Sequence, residues 1–334
     1  MRIATYNVAW FNNLFDDEGL VLDDAGWSGR WDITRATQIA ALGRVFRRLD
    51  ADAVMVIEAP DTGGVRDGAR ALETFAQRFG LRARQALIGF ANDTQQEIAL
   101  LFDPDVMTAR HAPLGRAVGQ RGAQDDPRFD GVFHIDLDVD DTPENVTWNK
   151  PPLEVFARIG GHDLRLIGVH AKSKGPRGAL SDKDALRIAI QNRRKQLAQC
   201  IWLRHRIEGH LNRAEPLIVL GDFNDGPGLD VYERLFGRSG IEIVRGEGSA
   251  AQLFDPHIAA ADGPTTARFW QRDKDQWLEA LLDFIMVSPD LAARAPVWRI
   301  WNPLRDPALC ADPKLCQALL DASDHFPVTM DIDL

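Results

Sequence analysis

The 334-residue sequence predicts a mixed α/β protein, and two observations carry that prediction. Apolar runs of strand length recur along the whole chain, and stretches with apolar residues at helical spacing lie between them. The runs "RIATYNV" (2–8), "AVMVIE" (53–58), "EIALLF" (97–102), "EVFARI" (154–159), "LRLIGVH" (164–170), "LIVL" (217–220), "DFIMV" (283–287) and "PVTMDI" (327–332) read as strands. Several are continuously apolar, as expected of strands covered on both faces. The stretch 34–49 places Ile39, Leu42, Val45, Phe46 and Leu49 on one side of a helix. A second helical pattern, 181–211, repeats Leu186, Ile190, Leu197, Ile201 and Ile207 behind Ser181, a natural N-cap. Its Arg193-Arg194-Lys195 run reads as a solvated face. No repeat or linker interrupts the pattern, so one domain is expected over 1–334, with long loops at 10–31, 105–131, 138–152, 255–277 and 302–324.

With 45% apolar and 26% charged residues, the composition is that of an ordinary globular protein. No apolar run approaches the roughly 20 residues that span a bilayer, so no transmembrane segment is expected. Strand-like sequence begins directly after Met1, which leaves no room for a signal peptide. A cytoplasmic protein is expected if Met1 is the native start, and a secreted one if a leader has been trimmed. Three cysteines are too few for a disulfide framework. Cys200 falls in the helical pattern as buried packing. Cys310 and Cys316 flank "ADPKL"; they are read as free thiols, with a small closed loop as the alternative in an oxidising compartment. The net charge of −10 argues against a broad basic cradle for nucleic acid, an argument that a bound divalent cation softens. A monomer is expected.

The residues at the strand ends are more specific. Asn7 closes the first strand, Glu58 the second, and Glu97 opens the third. His170 closes "LRLIGVH", Asp222 and Asn224 follow "LIVL", Asp283 opens "DFIMV", and Asp324-His325 precede the last strand. Side chains alternate faces along a strand, so Asp222 and Asn224 are expected on one side. Each residue has an ordinary reading when taken singly. Asp225-Gly226-Pro227-Gly228 is a turn, and a lone His170 is a satisfied structural histidine. Strand ends at one edge of a sheet can, however, converge on one crevice. Carboxylates, amides and histidines gathered there suit a hard divalent cation, with a general base and phosphate-contacting donors beside it. The stretch "RGEGSAA" fits a dinucleotide fingerprint only loosely and reads as a loop.

In order and spacing, "TYNV", "VIEAPD", "GVHAKSKG", "GDFNDGPG", "LLDFIMVS" and "SDHFPV" resemble the successive motifs of the endonuclease/exonuclease/phosphatase superfamily. The resemblance implies a deoxyribonuclease-I-like sandwich of four layers, two mixed sheets face to face with helices outside. It implies Glu58 as the main Mg²⁺ ligand (Mn²⁺ being a substitute), with Asn7 beside it and Asp324 contacting metal or water. Asp222 would orient or deprotonate the attacking water, and Asn224 would bond a phosphoryl oxygen. His325 would contact the phosphate, with Asp283 fixing its tautomer, and His170 would be the second phosphate-contacting histidine. Glu97 resembles the carboxylate that pairs with that histidine in the deoxyribonuclease branch. Lys172, Lys174 and Arg177, just beyond His170, are candidates for further substrate phosphates, their plain reading being a solvated basic turn.

Departures from the branches narrow the expectation. "LLDF" lacks the Cys-Asp-Arg signature of inositol polyphosphate phosphatases and the Arg before Asp of abasic-site enzymes. "HAKSKG" resembles bacterial nuclease-like members, and "GDFNDGPGLDVYERL" resembles those members and the deadenylases. The expected activity is metal-dependent phosphodiester hydrolysis on DNA or RNA. The alternative substrate is a lipid head group or small phosphate ester, which the acidic charge suits. A non-catalytic binding module would need a missing core residue, and none is missing. Trp10, Phe11, Trp27 and Trp31 in loop 10–31 either stack on bases or fold onto a small core of their own.

Overall fold

Each strand anticipated from the sequence forms, with ends shifted by at most two residues. The structure is a computed structural model; it describes the chain apart from residues 64, 136–143, 177, 228–233, 235–236, 261–262 and 272–274. In chain order the elements are β1 (Arg2–Asn7), α1 (Arg35–Leu49), β2 (Ala53–Ala59), α2 (Gly68–Phe79), β3 (Gln85–Ile88), β4 (Glu97–Phe102), β5 (Met107–His111), β6 (Phe133–Ile135) and β7 (Glu144–Val146). They continue with β8 (Leu153–Ile159), β9 (His162–His170), α3 (Asp182–Asn212), β10 (Leu217–Asp222), α4 (Gly240–Arg245), β11 (Ala267–Gln271), β12 (Gln276–Ala280), β13 (Asp283–Val287), α5 (Pro289–Ala292), β14 (Val297–Ile300), α6 (Pro313–Ala322) and β15 (Val328–Asp331).

Two mixed sheets result. One has the order β14-β15-β1-β2-β4-β3 and the other β13-β10-β9-β8-β5, while β6–β7 and β11–β12 form separate hairpins. Three apolar clusters define the layers. Inward residues of both sheets (Ile3, Met55 and Leu100 from one; Val155, Leu166 and Leu220 from the other) share the central cluster. A second cluster joins the outer face of the first sheet to α1, α2 and α6. A third joins the outer face of the second sheet to α3 and α4. Strands buried on both faces explain the continuous apolar runs. At Gly168 the sheets come so close that a Cβ would lie 2.4 Å from the Met55 sulfur.

Several sequence expectations need correction. The loop 105–131 contains β5, 138–152 contains β7, 255–277 contains β11 and part of its hairpin, and 302–324 contains α6. Ser181 caps α3 by accepting from the Asp184 N–H at 3.2 Å, as its type predicts. The basic run in α3 is not a solvated face. Arg193 is buried, Arg194 pairs with Glu144, and Lys195 Nζ lies 2.5 Å from Asn149 Oδ1, so the run ties α3 to the segment before β8. Cys200 is buried. Cys310 and Cys316 are not free thiols: they form a disulfide across six positions, because α6 brings their Cα atoms to 4.7 Å. Among the described residues no helix is long and apolar enough to cross a membrane.

Candidate functional site

The site lies where the central core runs out. The inward positions of β1 read Ile3, Thr5, Asn7; those of β9 end in Gly168 and His170; those of β10 read Ile218, Leu220, Asp222. On β13, Ile285 and Val287 face the core, and Asp283 continues their row. Four strands from both sheets thus switch from apolar to polar at the same edge. Register completes the convergence: Asp222 is paired with His170 on one side and Asp283 on the other. Gly221 permits this close packing, since at φ 142° a Cβ would lie 2.0 Å from the Val169 carbonyl oxygen.

Asp222 is the hub. Its Oδ2 accepts from Asn7 Nδ2 at 3.0 Å and from Asn224 Nδ2 at 3.1 Å, and its Oδ1 accepts from the Asn224 N–H at 2.8 Å. His170 Nε2 stands 3.6 Å from the same Oδ2. Asn224 reaches Asp222 by a route the sequence did not suggest. The strand ends at Asp222, and Asn224 turns back in a left-handed conformation (φ 50°), so a turn and not strand alternation brings the amide alongside. Burial drives the Asp222 carboxyl upward, against the pull of His325 and with a further push from Asp283.

Asp283 and His325 form a buried pair, Nδ1 to Oδ2 at 2.8 Å. Burial opposes charge on His325, but Asp283 outweighs it and the pKa is pushed up to about 10. The imidazolium therefore keeps Nδ1–H on Asp283 and has Nε2–H left to donate. Phe269 packs against the same ring, with centroids 5.4 Å apart.

Glu58 sits at a bulge in β2, with φ 61° and a register shift between Ile57 and Ala59. Its Oε2 accepts from Gln96 Nε2 at 2.6 Å, and its Oε1 is 4.0 Å from His170 Nε2. Burial pushes its carboxyl upward, opposed by Lys150 and His325. Asp324 is half-buried, with Oδ1 3.7 Å from Arg30 Nη1.

Ligating atoms of Asp222, Asp283 and His325 lie within 4.8 Å of one another. A protonated His325 already bonded to Asp283 is a poor metal ligand, however. The oxygens of Asn7 and Glu58 suit a hard cation better, and Asn7 Oδ1 is a buried acceptor with no hydrogen-bond partner among the described residues. That orphaned oxygen is what a cation or its bound water would satisfy.

Other sequence candidates fall elsewhere. Glu97 is buried and accepts from the Asn92 N–H at 3.2 Å and from Asn92 Nδ2 at 2.7 Å. Among the described residues the carboxylates within 4.0 Å of His170 are those of Glu58 and Asp222, so the expected Glu97–His170 pair does not form. Glu97 opens its strand one register step away, beside Ala59. Lys174 pairs with the buried Asp225, which also accepts from backbone N–H groups at the start of α4. Its ammonium is engaged in the fold, contrary to the expected phosphate contact. Lys172 donates its N–H to Gln199 Oε1 at 2.9 Å, and its side chain is half-buried. Arg177 lies outside the described residues.

Sequence reasoning missed Lys150. Its Nζ is 3.2 Å from Nδ1 and 3.3 Å from Nε2 of His170. Two α3 side chains hold the approach to it: Gln199 Nε2 donates to the Thr147 carbonyl at 3.0 Å and Lys195 holds Asn149. The "WNKPP" segment carries no strand signal, which is why only the contacts reveal it.

The architecture is that of the deoxyribonuclease-I-like sandwiches, and similarity to solved structures agrees. Over 98% of this chain and 96% of the other, a truncated TDP2 of Caenorhabditis elegans superposes with a TM-score of 0.52 at 12% identity. A mannosyl-6-phosphatase of Bacteroides thetaiotaomicron covers both chains fully, with a TM-score of 0.50 and 14% identity. So does an AP endonuclease of Archaeoglobus fulgidus, with a TM-score of 0.50 and 13% identity. At these identities the likeness concerns the fold. No curated protein matches the sequence significantly. The family model of the endonuclease/exonuclease/phosphatase family matches residues 4–325, and the chain belongs to that family of hydrolases acting on phosphoester bonds.

Proposed function

We propose that the protein is a divalent-metal-dependent phosphodiesterase whose substrate is nucleic acid. The observation that carries this reading is the setting of Asp222: a buried carboxylate oriented by two amides, with His170 and the Asp283–His325 pair beside it. Water is a weak nucleophile at neutral pH and needs a positioned base. Asp222 is held rigidly enough to orient that water, and the burial that raises its pKa makes it a stronger base. Negative charge then grows on the phosphoryl oxygens, where preorganised donors act most strongly. His325 donates from Nε2 and Lys150, beside His170, adds positive charge, while Asn224 spends its amide N–H groups on Asp222 Oδ2 and the Ala171 carbonyl and so positions the base. Asp283 keeps His325 in the orientation that leaves Nε2 available. Asn7 and Glu58, with Asp324 nearby, would hold Mg²⁺ or Mn²⁺, which supplies charge neutralisation at the phosphoryl oxygens when bound.

Nucleic acid is favoured by the likeness of "HAKSKG" and "GDFNDGPG" to nuclease-like members; the net charge of −10 favours a small phosphate ester or lipid head group. The deciding experiment incubates the purified protein with Mg²⁺ or Mn²⁺ and single-stranded DNA, duplex DNA, RNA, sphingomyelin or a bis-aryl phosphodiester. Polynucleotide cleavage that EDTA abolishes and Mg²⁺ or Mn²⁺ restores is expected. Full activity in chelator, or restoration by Zn²⁺ alone, would refute the metal assignment. Turnover of sphingomyelin with polynucleotides untouched would refute the substrate.

A further inference from the structure

Nine tryptophans are present, and the five exposed ones all lie on two segments that border the site. Trp10, Trp27 and Trp31 belong to loop 10–31, and Trp270 and Trp277 to the β11–β12 hairpin, with exposures from 43% to 85%. The remaining four are buried or half-buried. Large indoles kept in water on two segments that both meet Asp324 call for a ligand. The same loop sends Phe11, Leu14 and Phe15 into the core, so its exposed indoles are not merely an unfolded remainder.

Both segments are anchored on one residue. Arg30, beside Trp31, approaches Asp324 Oδ1 at 3.7 Å, and the Arg268 N–H donates to the Asp324 carbonyl at 2.8 Å. The rings are held in place. Trp27 Nε1 donates to the Arg30 carbonyl at 2.8 Å, Trp270 and Trp277 meet with centroids 5.2 Å apart, and the Arg268 guanidinium lies 4.0 Å from the Trp277 centroid. Arg30 Nη2 donates to the Leu320 carbonyl at 3.0 Å and Arg268 Nε lies 4.0 Å from Glu279 Oε1, so both guanidinium groups are fixed beside the aromatic faces. Indole faces interleaved with arginines are the chemistry that binds unstacked bases along an anionic backbone.

We propose that these two segments form a stacking platform for single-stranded nucleic acid, flanking the phosphate that the site cleaves. The inference rests on the phosphodiesterase reading and narrows its substrate. A duplex keeps its base faces stacked inside and could not use the indoles. A bilayer is disfavoured by the sequence, since Arg272-Asp273-Lys274-Asp275 puts four charges between the two tryptophans, where an inserting segment would be apolar.

The test uses tryptophan fluorescence on the Asp222→Asn protein, titrated in Ca²⁺ with oligothymidylate, with a duplex of equal length and with phosphatidylcholine/phosphatidylglycerol vesicles. Single strands should quench the emission and bind at least about tenfold tighter than duplex. Trp31→Ala and Trp277→Ala should each weaken single-strand binding about 5- to 150-fold, the effect of one lost base stack. Trp277→Phe should recover most of that loss, and far-UV circular dichroism confirms that each variant is folded. Equal affinity for duplex, binding to vesicles alone, or alanine variants with unchanged affinity would overturn the platform. Turnover of bis(p-nitrophenyl) phosphate by the wild-type protein with Mg²⁺ separates the two levels. Hydrolysis without single-strand preference overturns only the platform; no hydrolysis of any diester overturns the phosphodiesterase reading beneath it.

Discussion

Replacing Lys150 by methionine removes a positive charge beside His170 while keeping a side chain of similar length. Its Nζ lies 3.2 and 3.3 Å from the two ring nitrogens, and His170 Nε2 is 3.6 Å from Asp222 Oδ2. A phosphoryl oxygen accepting from His170 on the side of the ring that Lys150 occupies would come within about 4 Å of the ammonium. Two unit charges at about 4 Å interact by about 4 kcal/mol at an effective dielectric of about 20. Charge shared over several oxygens lowers that figure. The loss then falls at about 2.7–4 kcal/mol, the range for removing one preorganised donor, or about 10²–10³ in kcat. The assay is steady-state kcat and KM for bis(p-nitrophenyl) phosphate with Lys150→Met, Lys150→Gln and Lys150→Arg. If charge is what matters, arginine should regain at least about tenfold over methionine, and glutamine, a neutral donor, should not. A methionine variant within about threefold of wild type would refute the reasoning. Recovery by glutamine equal to that by arginine would reduce Lys150 to a prop for the ring.

Asp222→Asn should lower turnover of the same diester by about 10²–10⁴-fold, as expected for a lost general base, with the melting temperature retained. Glu97→Gln should leave kcat within about threefold, because Glu97 is bonded to Asn92 and does not pair with His170; a larger fall would show a catalytic link. Burial raises the Glu97 carboxyl to about 7, against an ordinary value near 4.5, so its charge works against folding at higher pH. Wild-type stability from this group is greatest below about pH 4.5 and declines through about pH 7. The stability gap between wild type and Glu97→Gln should therefore narrow over that window, measured by urea midpoints; a constant gap would contradict the assignment. Arg206 bonds the buried Glu154, reaches Asp126 at 2.9 Å and lies over Phe129, so Arg206→Met should cost about 3–5 kcal/mol in urea unfolding by stranding the Glu154 charge. Adding Glu154→Gln should recover part of it, and additive losses would argue against a shared pair.

The local order of the chain was legible because burial on both faces writes strands as continuous apolar runs, and because Ser181 carries its own capping chemistry. The strand-end polar residues were legible for a related reason: a core that ends must change from apolar to polar, and Asn7, His170, Asp222 and Asp283 mark that change on four strands. The family motifs preserve their order along the sequence. What pairs with what was not written there. Asn224 was placed on the right side of Asp222, but a left-handed turn put it there. Glu97 was assigned to His170 from likeness alone, whereas the register of β4 against β2 sets it beside Ala59, and Asn92 supplies its partner. Lys150, Arg30 and Arg268 reach the site from segments with no strand or helix signal. Their positions depend on α3 holding 147–149, on loop 10–31 meeting Asp324, and on the hairpin bridging to His325. The sequence by itself determined the apolar core strands and which edge is polar, since both follow from local periodicity and side-chain chemistry, whereas the shorter, half-exposed strands such as β5, β7 and β11 left no such pattern. Only the tertiary structure decided the partners, because long-range pairing depends on register and on the path of irregular segments, and neither leaves a local pattern.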